Sequence, residues 1–283
     1  MPSVLYEKDG RVGRITLNRP EVLNAIDYHM PETLAACVAE ANADEGVHVI
    51  VLSGAGRSFC TGYDLAAWTS ASESMIQEMP WDPMKDYALM MRNTECFMSL
   101  SRSHRPVIAK VRGHAVAGGS DIALCCDLVM MAEDAKIGYM PARVFGSPTT
   151  AMWVYRLGAE GAKRMMLTGD QIDGREAERM GLVHKAVPED ELDEAVEALA
   201  GRMASVPVNQ LMMQKMVINQ AIEAMGFHQI QQLARLFDCI TRHSPEGVNY
   251  KRRSEEIGWK QAVQERDQGS FDWTANKPIE PQN

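Results

Sequence analysis

Two glycine-containing segments hold the residues best suited to binding a substrate through backbone amides. The first, SGAGRSFCTGYD at residues 53–64, follows an apolar run. Phe59 stands where the dinucleotide fingerprint GxGxxG requires its third glycine, and it would obstruct the close helix–strand approach that glycine permits. No GK[ST] ending follows for a phosphate loop. Both nucleotide interpretations are therefore weak.

The second segment, VIAKVRGHAVAGGSDIALCCD at residues 107–127, predicts a strand, a turn and an apolar helix opened by Gly118-Gly119. The first turn of a helix has N–H groups without intrahelical partners and carries a partial positive charge. Such an amide is suited to stabilising a developing oxyanion, and glycine leaves it unshielded. Paired with an amide from the first segment, it would form a two-donor oxyanion hole.

The elements that position these segments are predicted to form an α/β sheet built from crossover units. Residues 4–17 predict a β-hairpin that turns at Asp9-Gly10, and residues 31–43 predict a helix with Pro31 in its first turn. Apolar runs typical of buried strands follow. They are Val47–Leu52, Val107–Val111, Leu128–Ala132 and Leu182–Val187.

The rest of the chain is expected to be mainly helical. The polar stretch from Trp68 to Asp86 predicts a surface excursion or lid, followed by a helix to about Ser101. From Asp190 onward one helix follows another. Gly226 is a stop signal, Ser244-Pro245 begins a further helix, and FHQIQQLARLFDCITRH places Ile230, Leu233, Phe237 and Ile240 on one face.

Composition narrows the function classes. The chain has 283 residues, 46% of them hydrophobic, with a net charge of −9 and a pI near 5.3, which argues against a nucleic-acid partner. No apolar run approaches membrane-spanning length, and the N-terminus lacks the apolar region of a signal peptide. The six cysteines show no metal-ligand spacing, so we expect no metal and a reduced, cytoplasmic protein.

Four ordered blocks carry a family resemblance: LNRPEVLNAI, GRSFCTGYDL, AVAGGSDIALCCDLVMMAEDAKIG and LTGDQIDGREAERMGLV. With these the chain resembles the crotonase (enoyl-CoA hydratase/isomerase) superfamily over nearly its whole length. The resemblance implies an α/β fold, a crotonase-like spiral of ββα units with a C-terminal helical region. We expect an acyl-CoA-binding core at residues 1–200 and an oligomerisation region at 201–283, forming a homotrimer or a dimer of trimers.

The resemblance also implies a set of binding residues. The oxyanion donors would be the backbone N–H groups of Tyr63 and Gly118, which would bind the thioester carbonyl of an acyl-CoA and stabilise its enolate. Contacts to the CoA portion would come from Val22, Leu23, Ala25, Gly62, Asp64 and Leu65. Coenzyme A would be part of the substrate, so no separate cofactor is expected.

The acid–base residues depart from the family pattern. Hydratases of the family use two glutamates; Asp121 stands at the position of the first, with its carboxylate retracted by one methylene. At the second position stands Pro141, which cannot carry a proton. Other family members place a tyrosine or acid about eight residues further on, where this chain has Thr149 and Thr150. His114, Tyr139 and Arg143 are candidates to line the pocket.

Three functions stay open at this level. The leading one is an enoyl-CoA hydratase-like lyase with Asp121 as its proton-transfer group. An isomerase or decarboxylase of the same family would use the same enolate. Pro141 also motivates a third hypothesis, a non-catalytic acyl-CoA-binding protein that kept the oxyanion hole and lost the chemistry.

Overall fold

The computed structural model describes residues 2–66 and 81–279. Its strands are β1 (Val4–Asp9), β2 (Val12–Leu17), β3 (Val49–Gly54), β4 (Val107–Val111), β5 (His114–Val116), β6 (Leu128–Ala132), β7 (Lys136–Gly138), β8 (Gln171–Asp173), β9 (Lys185–Val187), β10 (Phe271–Asp272) and β11 (Lys277–Pro278). Its α-helices are α1 (Met30–Ala43), α2 (Pro83–Arg102), α3 (Gly118–Cys125), α4 (Met152–Thr168), α5 (Gly174–Arg179), α6 (Leu192–Ala204), α7 (Val208–Ala224), α8 (Phe227–Arg242), α9 (Pro245–Ile257) and α10 (Trp259–Gln268).

The main sheet has the strand order β1-β2-β3-β4-β6-β9, and every pair is parallel except the β1–β2 hairpin. The hairpin confirms the turn predicted at Asp9-Gly10, where Gly10 has a positive φ of 57°. The core is formed around β3 and β4, whose apolar side chains are buried. Parallel strands are covered on both faces, which explains why these segments are apolar runs rather than alternating ones.

A second sheet, of order β5-β7-β8, lies beside the first and carries the second glycine segment. β5 pairs with β7 in parallel, and an isolated bridge joins Cys60 of the first glycine segment to Ala115 of β5. The two glycine segments are therefore joined side by side, although Cys60 and Ala115 are 55 residues apart in sequence. Together the two sheets and their helices form an α/β fold with a C-terminal helical region.

Several predicted boundaries shift. The strand expected at Leu182–Val187 begins only at Lys185, because the N–H groups of Leu182 and Val183 bond back to the carbonyl of Ala177 and close a turn. Of the expected excursion from Trp68 to Asp86, residues 67–80 lie outside the described part of the chain. Its last residues begin α2, where the Asp82 side chain accepts hydrogen bonds from the N–H groups of Met84 and Lys85.

The C-terminal helices follow the sequence signals. Gly226 lies between α7 and α8, and the Ser244 side chain caps α9 by accepting from the N–H of Gly247. The predicted division near residue 200 falls inside α6, which packs against β3, β4 and β6 of the main sheet. Within residues 2–66 and 81–279, no helix is both long and apolar enough to span a membrane.

Candidate active site

A cavity of about 550 Å³ lies where the two glycine segments meet the C-terminal helices. Its wall contains most of the residues that the sequence singles out: Val22, Leu23, Ala25, Tyr63, Asp64, Leu65, Gly118, Asp121 and Tyr139. Helices α8 and α10 complete the wall. The cavity is large enough for a small-molecule ligand, and its lining combines apolar side chains with a few polar groups.

The buried amide of Asn24 fixes the first glycine segment. Its Nδ2 donates to the carbonyls of Ala55 (2.9 Å) and Ser58 (2.8 Å), while its Oδ1 accepts from the N–H of Arg19 (2.8 Å). Leu23 and Asn24 both have positive φ, an uncommon conformation that Asn tolerates better than most residues. The segment from Arg19 to Asn24 is therefore held in one irregular conformation by side-chain hydrogen bonds.

The backbone at Tyr63 is set by a short bridge to Ile26. The N–H of Ile26 donates to the carbonyl of Gly62 (2.8 Å), and the N–H of Asp64 donates to the carbonyl of Ile26 (3.0 Å). Because successive groups of an extended segment point to opposite sides, the N–H of Tyr63 points away from Ile26. Gly62 has φ 87°, and a Cβ there would lie 2.8 Å from the Cβ of Ala117, so glycine is required at this approach of the two loops.

The second glycine segment is strained at Ala117. Ala117, the residue before helix α3, has φ 50° and ψ −127°, a conformation that costs roughly 1–3 kcal/mol and persists only when its surroundings enforce it. Its carbonyl accepts from the N–H groups of Ser120 (3.0 Å) and Asp121 (3.4 Å), and its own N–H donates to Gly138 (2.9 Å). A Cβ at Gly119 would overlap with the carbonyl oxygen of Cys60. The N–H of Gly118 thus begins α3 at the cavity, beside the Tyr63 loop.

Asp121 is 4% exposed and lies in the first turn of α3. Its Oδ1 accepts a hydrogen bond from the hydroxyl of Thr150. Burial raises the pKa of Asp121 to about 7; the charge of Asp238 adds to this increase, and the Thr150 hydroxyl opposes it. A carboxyl group with a pKa near 7 can both accept and donate a proton near neutral pH.

A second carboxyl group, which the sequence did not reveal, reaches the same cavity from α8. Asp238 is 6% exposed; its Oδ2 accepts from Arg242 Nη1 (2.8 Å) and its Oδ1 from the N–H of Ser147 (3.1 Å). Arg242 also donates to Asp86 of α2 (2.7 Å), and both Asp238 and Arg242 line the cavity. The only sequence signal was the i, i+4 spacing of Asp238 and Arg242, which by itself is typical of an exposed helix face.

Three predicted residues are placed elsewhere. His114 is exposed at the start of β5, with its Nδ1 3.4 Å from the Ser58 hydroxyl, and it does not line the cavity. Arg143 turns away: its guanidinium donates to the carbonyls of Gly169 (3.2 Å) and Asp267 (2.5 Å). Neither side chain is among the residues that line the cavity. Gly62 lies behind the lining, against Ala117.

Tyr139 and Pro141, in contrast, do line the cavity. The hydroxyl of Tyr139 lies among carboxyl groups, and burial raises its pKa well above the usual value, with Asp238 and Asp121 adding to the effect. This hydroxyl therefore stays protonated and acts as a hydrogen-bond donor. Pro141 is part of the wall as a non-ionisable surface, as its position in the sequence implied.

The outer part of the cavity carries basic side chains. Arg57, next to the first glycine segment, and Lys260 of α10 are both exposed and both contribute to the lining. Asp64 is neutralised locally, because its carboxylate pairs with Arg19 at 3.0 Å. No cluster of His, Cys, Asp and Glu suited to a metal ion occurs among the described residues.

Comparison with known proteins identifies the family of this chain. The family model "Enoyl-CoA hydratase/isomerase" matches residues 7–261. A crystal structure of enoyl-CoA hydratase from Mycobacterium smegmatis is 42% identical and superposes with a TM-score of 0.90, covering 95% of this chain and 94% of that one. An enoyl-CoA hydratase/isomerase from Xanthobacter autotrophicus Py2 is 29% identical with a TM-score of 0.86, covering 95% of this chain and 98% of that chain.

A relative from Rhizobium meliloti, named "Probable enoyl-CoA hydratase", is 31% identical over 251 residues, which span 87% of this chain and 93% of the relative. The chain belongs to the enoyl-CoA hydratase/isomerase family, and the crotonase resemblance of its sequence is confirmed. Family membership makes it an enzyme of the crotonase type.

Proposed function

We propose that this protein hydrates an α,β-unsaturated acyl-CoA thioester. The backbone N–H groups of Tyr63 and Gly118 bind the thioester oxygen and stabilise the enolate, and Asp121 transfers a proton at the substrate. The observation that carries the proposal is the meeting of both donor loops and the buried Asp121 carboxyl at one cavity. The enoyl-CoA hydratase names of the relatives support the same reaction.

The CoA portion would lie along the irregular segment of Val22, Leu23 and Ala25, with Asp64 and Leu65 opposite. Backbone contacts suit an acidic protein that binds a polyanion, and Arg57 and Lys260 would attract its phosphates at the mouth. Coenzyme A enters as part of the substrate, so turnover should need no added cofactor.

The test follows the loss of enoyl-CoA absorbance with crotonyl-CoA and longer enoyl-CoAs. Asp121→Asn should lower kcat by about 10²–10⁴-fold, the usual contribution of a general acid–base group. Asp193→Asn, which removes an exposed carboxylate paired with Lys110, is the matched control and should keep its activity. Undiminished turnover by Asp121→Asn would remove Asp121 from the mechanism.

Isomerisation is the second candidate within the family. Asp121, with a pKa of about 7, could both remove and return an allylic proton by itself. Product mass separates the reactions, because hydration adds one water, isomerisation leaves the mass unchanged and decarboxylation removes carbon dioxide. Tight acyl-CoA binding without conversion of any enoyl-CoA would instead favour a non-catalytic binding protein.

We further propose a homotrimer or a dimer of trimers assembled through the C-terminal helices. Ile230, Leu233, Phe237 and Ile240 of α8 form an apolar face and are 42–49% exposed. An exposed apolar face of this kind marks an interaction surface. Light scattering should give a multiple of three chains, and Leu233→Lys should dissociate it, whereas Leu167→Lys, at an isolated position on α4, should not.

The expectation of a cytoplasmic location also stays a proposal. Cell fractionation of the native host would test it, with the protein recovered alongside cytoplasmic markers.

A further inference from the structure

Helix α8 presents its polar side to the protein interior. Its fully or nearly fully buried residues include Gln231, Arg235, Asp238 and Arg242, which recur every three to four positions, while its apolar side is exposed. Burying charged groups is costly unless they are paired. The pairing is present: Arg235 bonds to Glu95 (2.5 Å), and Arg242 bonds to Asp238 and Asp86.

Within this polar side, Asp238 differs from the other buried carboxyl group that contacts Arg242. Asp86 lies behind Arg242 and does not line the cavity, whereas Asp238 does. The cavity is open beside Asp238 because Gly146 has no side chain. A Cβ at Gly146 would lie 3.6 Å from Asp238 Oδ1 and 3.5 Å from the Tyr139 hydroxyl. Asp238 thus reaches the space that also contains Asp121.

Burial raises the pKa of both carboxyl groups, but only Asp238 has a cationic partner that opposes this increase. The Arg242 guanidinium and the N–H of Ser147 both favour the carboxylate form of Asp238. Asp121 accepts hydrogen bonds from the hydroxyl and the backbone N–H of Thr150 and forms no ion pair with any residue in the described ranges. Two carboxyl groups with different environments in one pocket are the usual arrangement for separate base and acid roles.

We infer that Asp238 is the second catalytic carboxyl group of this site, supplied by α8 in place of the one missing at Pro141. The inference rests on the proposed hydration. A water molecule gives a proton to the Asp238 carboxylate while its oxygen forms a bond to Cβ of the substrate. The electron pair of the Cα–Cβ double bond moves into the thioester enolate.

The N–H groups of Tyr63 and Gly118 hold the enolate oxygen. The Cα atom of the enolate then takes the proton of the Asp121 carboxyl group. Transfer of a proton from Asp238 to Asp121 restores the starting state, so that one water has been added overall. Both carboxyl groups line the same cavity, through which this proton would return. Tyr139, as a permanent donor, would orient the water.

The test compares Asp238→Asn with wild type in two reactions. Hydration of crotonyl-CoA should fall by about 10²–10⁴-fold in kcat. Exchange of the α-proton of butyryl-CoA in deuterated water should continue, because Asp121 acts at Cα, whereas Asp121→Asn should lose it. Binding of butyryl-CoA to Asp238→Asn, measured by calorimetry, should persist and shows that the site is folded.

Glu95→Gln is the matched control, because it breaks the equivalent pair with the buried Arg235 on the same side of α8 without reaching the cavity. Its kcat should change by no more than about twofold. Wild-type hydration by Asp238→Asn would overturn the inference. So would loss of butyryl-CoA binding, or an equal fall in hydration and exchange, since either makes Asp238 a structural support.

The same assays separate this inference from the proposed function. A wild-type protein that converts no enoyl-CoA would overturn the proposed function and the inference with it. An active wild type with an equally active Asp238→Asn would overturn the role of Asp238 alone.

Discussion

The glycine loops and helix α8 border the same cavity by different physical means. The loops bring backbone amides to it through close contacts, at Gly62 against Ala117 and at Gly119 against Cys60. Helix α8 brings side chains, and Asp238 and Arg242 are placed by a buried balance of charge. The placement of the loops therefore depends on the absence of side-chain atoms at their glycines, and the placement of α8 depends on the presence of counter-charges.

The difference has a consequence for robustness. A close contact tolerates changes of pH but no added methyl group, whereas a buried ion pair does not tolerate the loss of one partner. Substitutions that address one region at a time should separate these behaviours.

The largest effect on stability is expected from Arg242→Met. This change leaves Asp86 and Asp238 buried without their cation and should lower the free energy of unfolding by about 3–5 kcal/mol at pH 7. The deficit should shrink from pH 7 to a lower pH, because burial raises the pKa of Asp238 and removal of the cation favours its protonated form further. Urea denaturation at both pH values measures it.

Arg235→Met is the control for this change. Its partner Glu95 has a side chain that is 39% exposed, so water can solvate the carboxylate after the arginine is removed. The loss of stability should therefore be smaller than for Arg242→Met. Equal losses, or a deficit independent of pH, would contradict the charge-balance account of α8.

A similarly large but opposite effect is expected for Asp121→Asn. The folded-state pKa of Asp121 is about 7, above the usual value of 3.8, so ionised Asp121 destabilises the folded protein. The loss of unfolding free energy caused by ionised Asp121 is absent below pH 4 and grows as the pH rises. It is complete above pH 7, where it reaches about 4 kcal/mol. Relative to wild type, the variant should gain this stability between pH 4 and pH 8 in thermal or urea unfolding. A pH-independent difference would refute the assignment.

Gly119→Ala tests the loops and should have an intermediate effect. The added Cβ overlaps with the carbonyl oxygen of Cys60, which is backbone and cannot move aside as a side-chain end would. Overpacking should cost about 1–3 kcal/mol of unfolding free energy, and displacement of the donor loop should reduce kcat by about 10²–10³-fold.

Gly201→Ala is the matched control for this substitution. Gly201 lies within α6 and a Cβ there has no atom within 4 Å, so the change should be neutral or slightly stabilising. If both variants behaved alike, close packing would not be what fixes the Gly119 loop.

The smallest effect is expected at the cavity mouth. Lys260→Met removes an exposed charge and should raise the KM for crotonyl-CoA by about two- to fivefold at low salt, with less effect at high salt. The corresponding pantetheine thioester, which lacks the nucleotide phosphates, should show no change. The exposed Lys163 of α4 gives the control Lys163→Met. An equal shift for both thioesters would exclude a phosphate contact.

Much of the loop region could be predicted because its signals are local. The Gly118-Gly119 start of α3, the Asp9-Gly10 turn and the apolar strands β4 and β6 depend on residues that are near one another in sequence. The family blocks added the pairing of the two loops. His114 and Arg143 were misplaced because the sequence shows which residues are near a motif but not the direction of their side chains.

The place of Asp238 could not be predicted in the same way. An amphipathic helix ordinarily turns its apolar face to the core, and the pattern of α8 gives no sign that Ile230 and Phe237 are exposed while Asp238 is buried. That orientation depends on Glu95 and Asp86 of α2 and on the N–H of Ser147, which lie 91–156 residues from their partners on α8.

By itself, the sequence determined the family, the α/β fold and the position of the two glycine segments, because glycine, capping residues and apolar runs act over a few residues. Only the tertiary structure decided which side chains face the cavity. The rotation of α8 about its own axis is set by the pairing of charges between distant helices, and this pairing brings a second carboxyl group to the site where the local sequence has a proline.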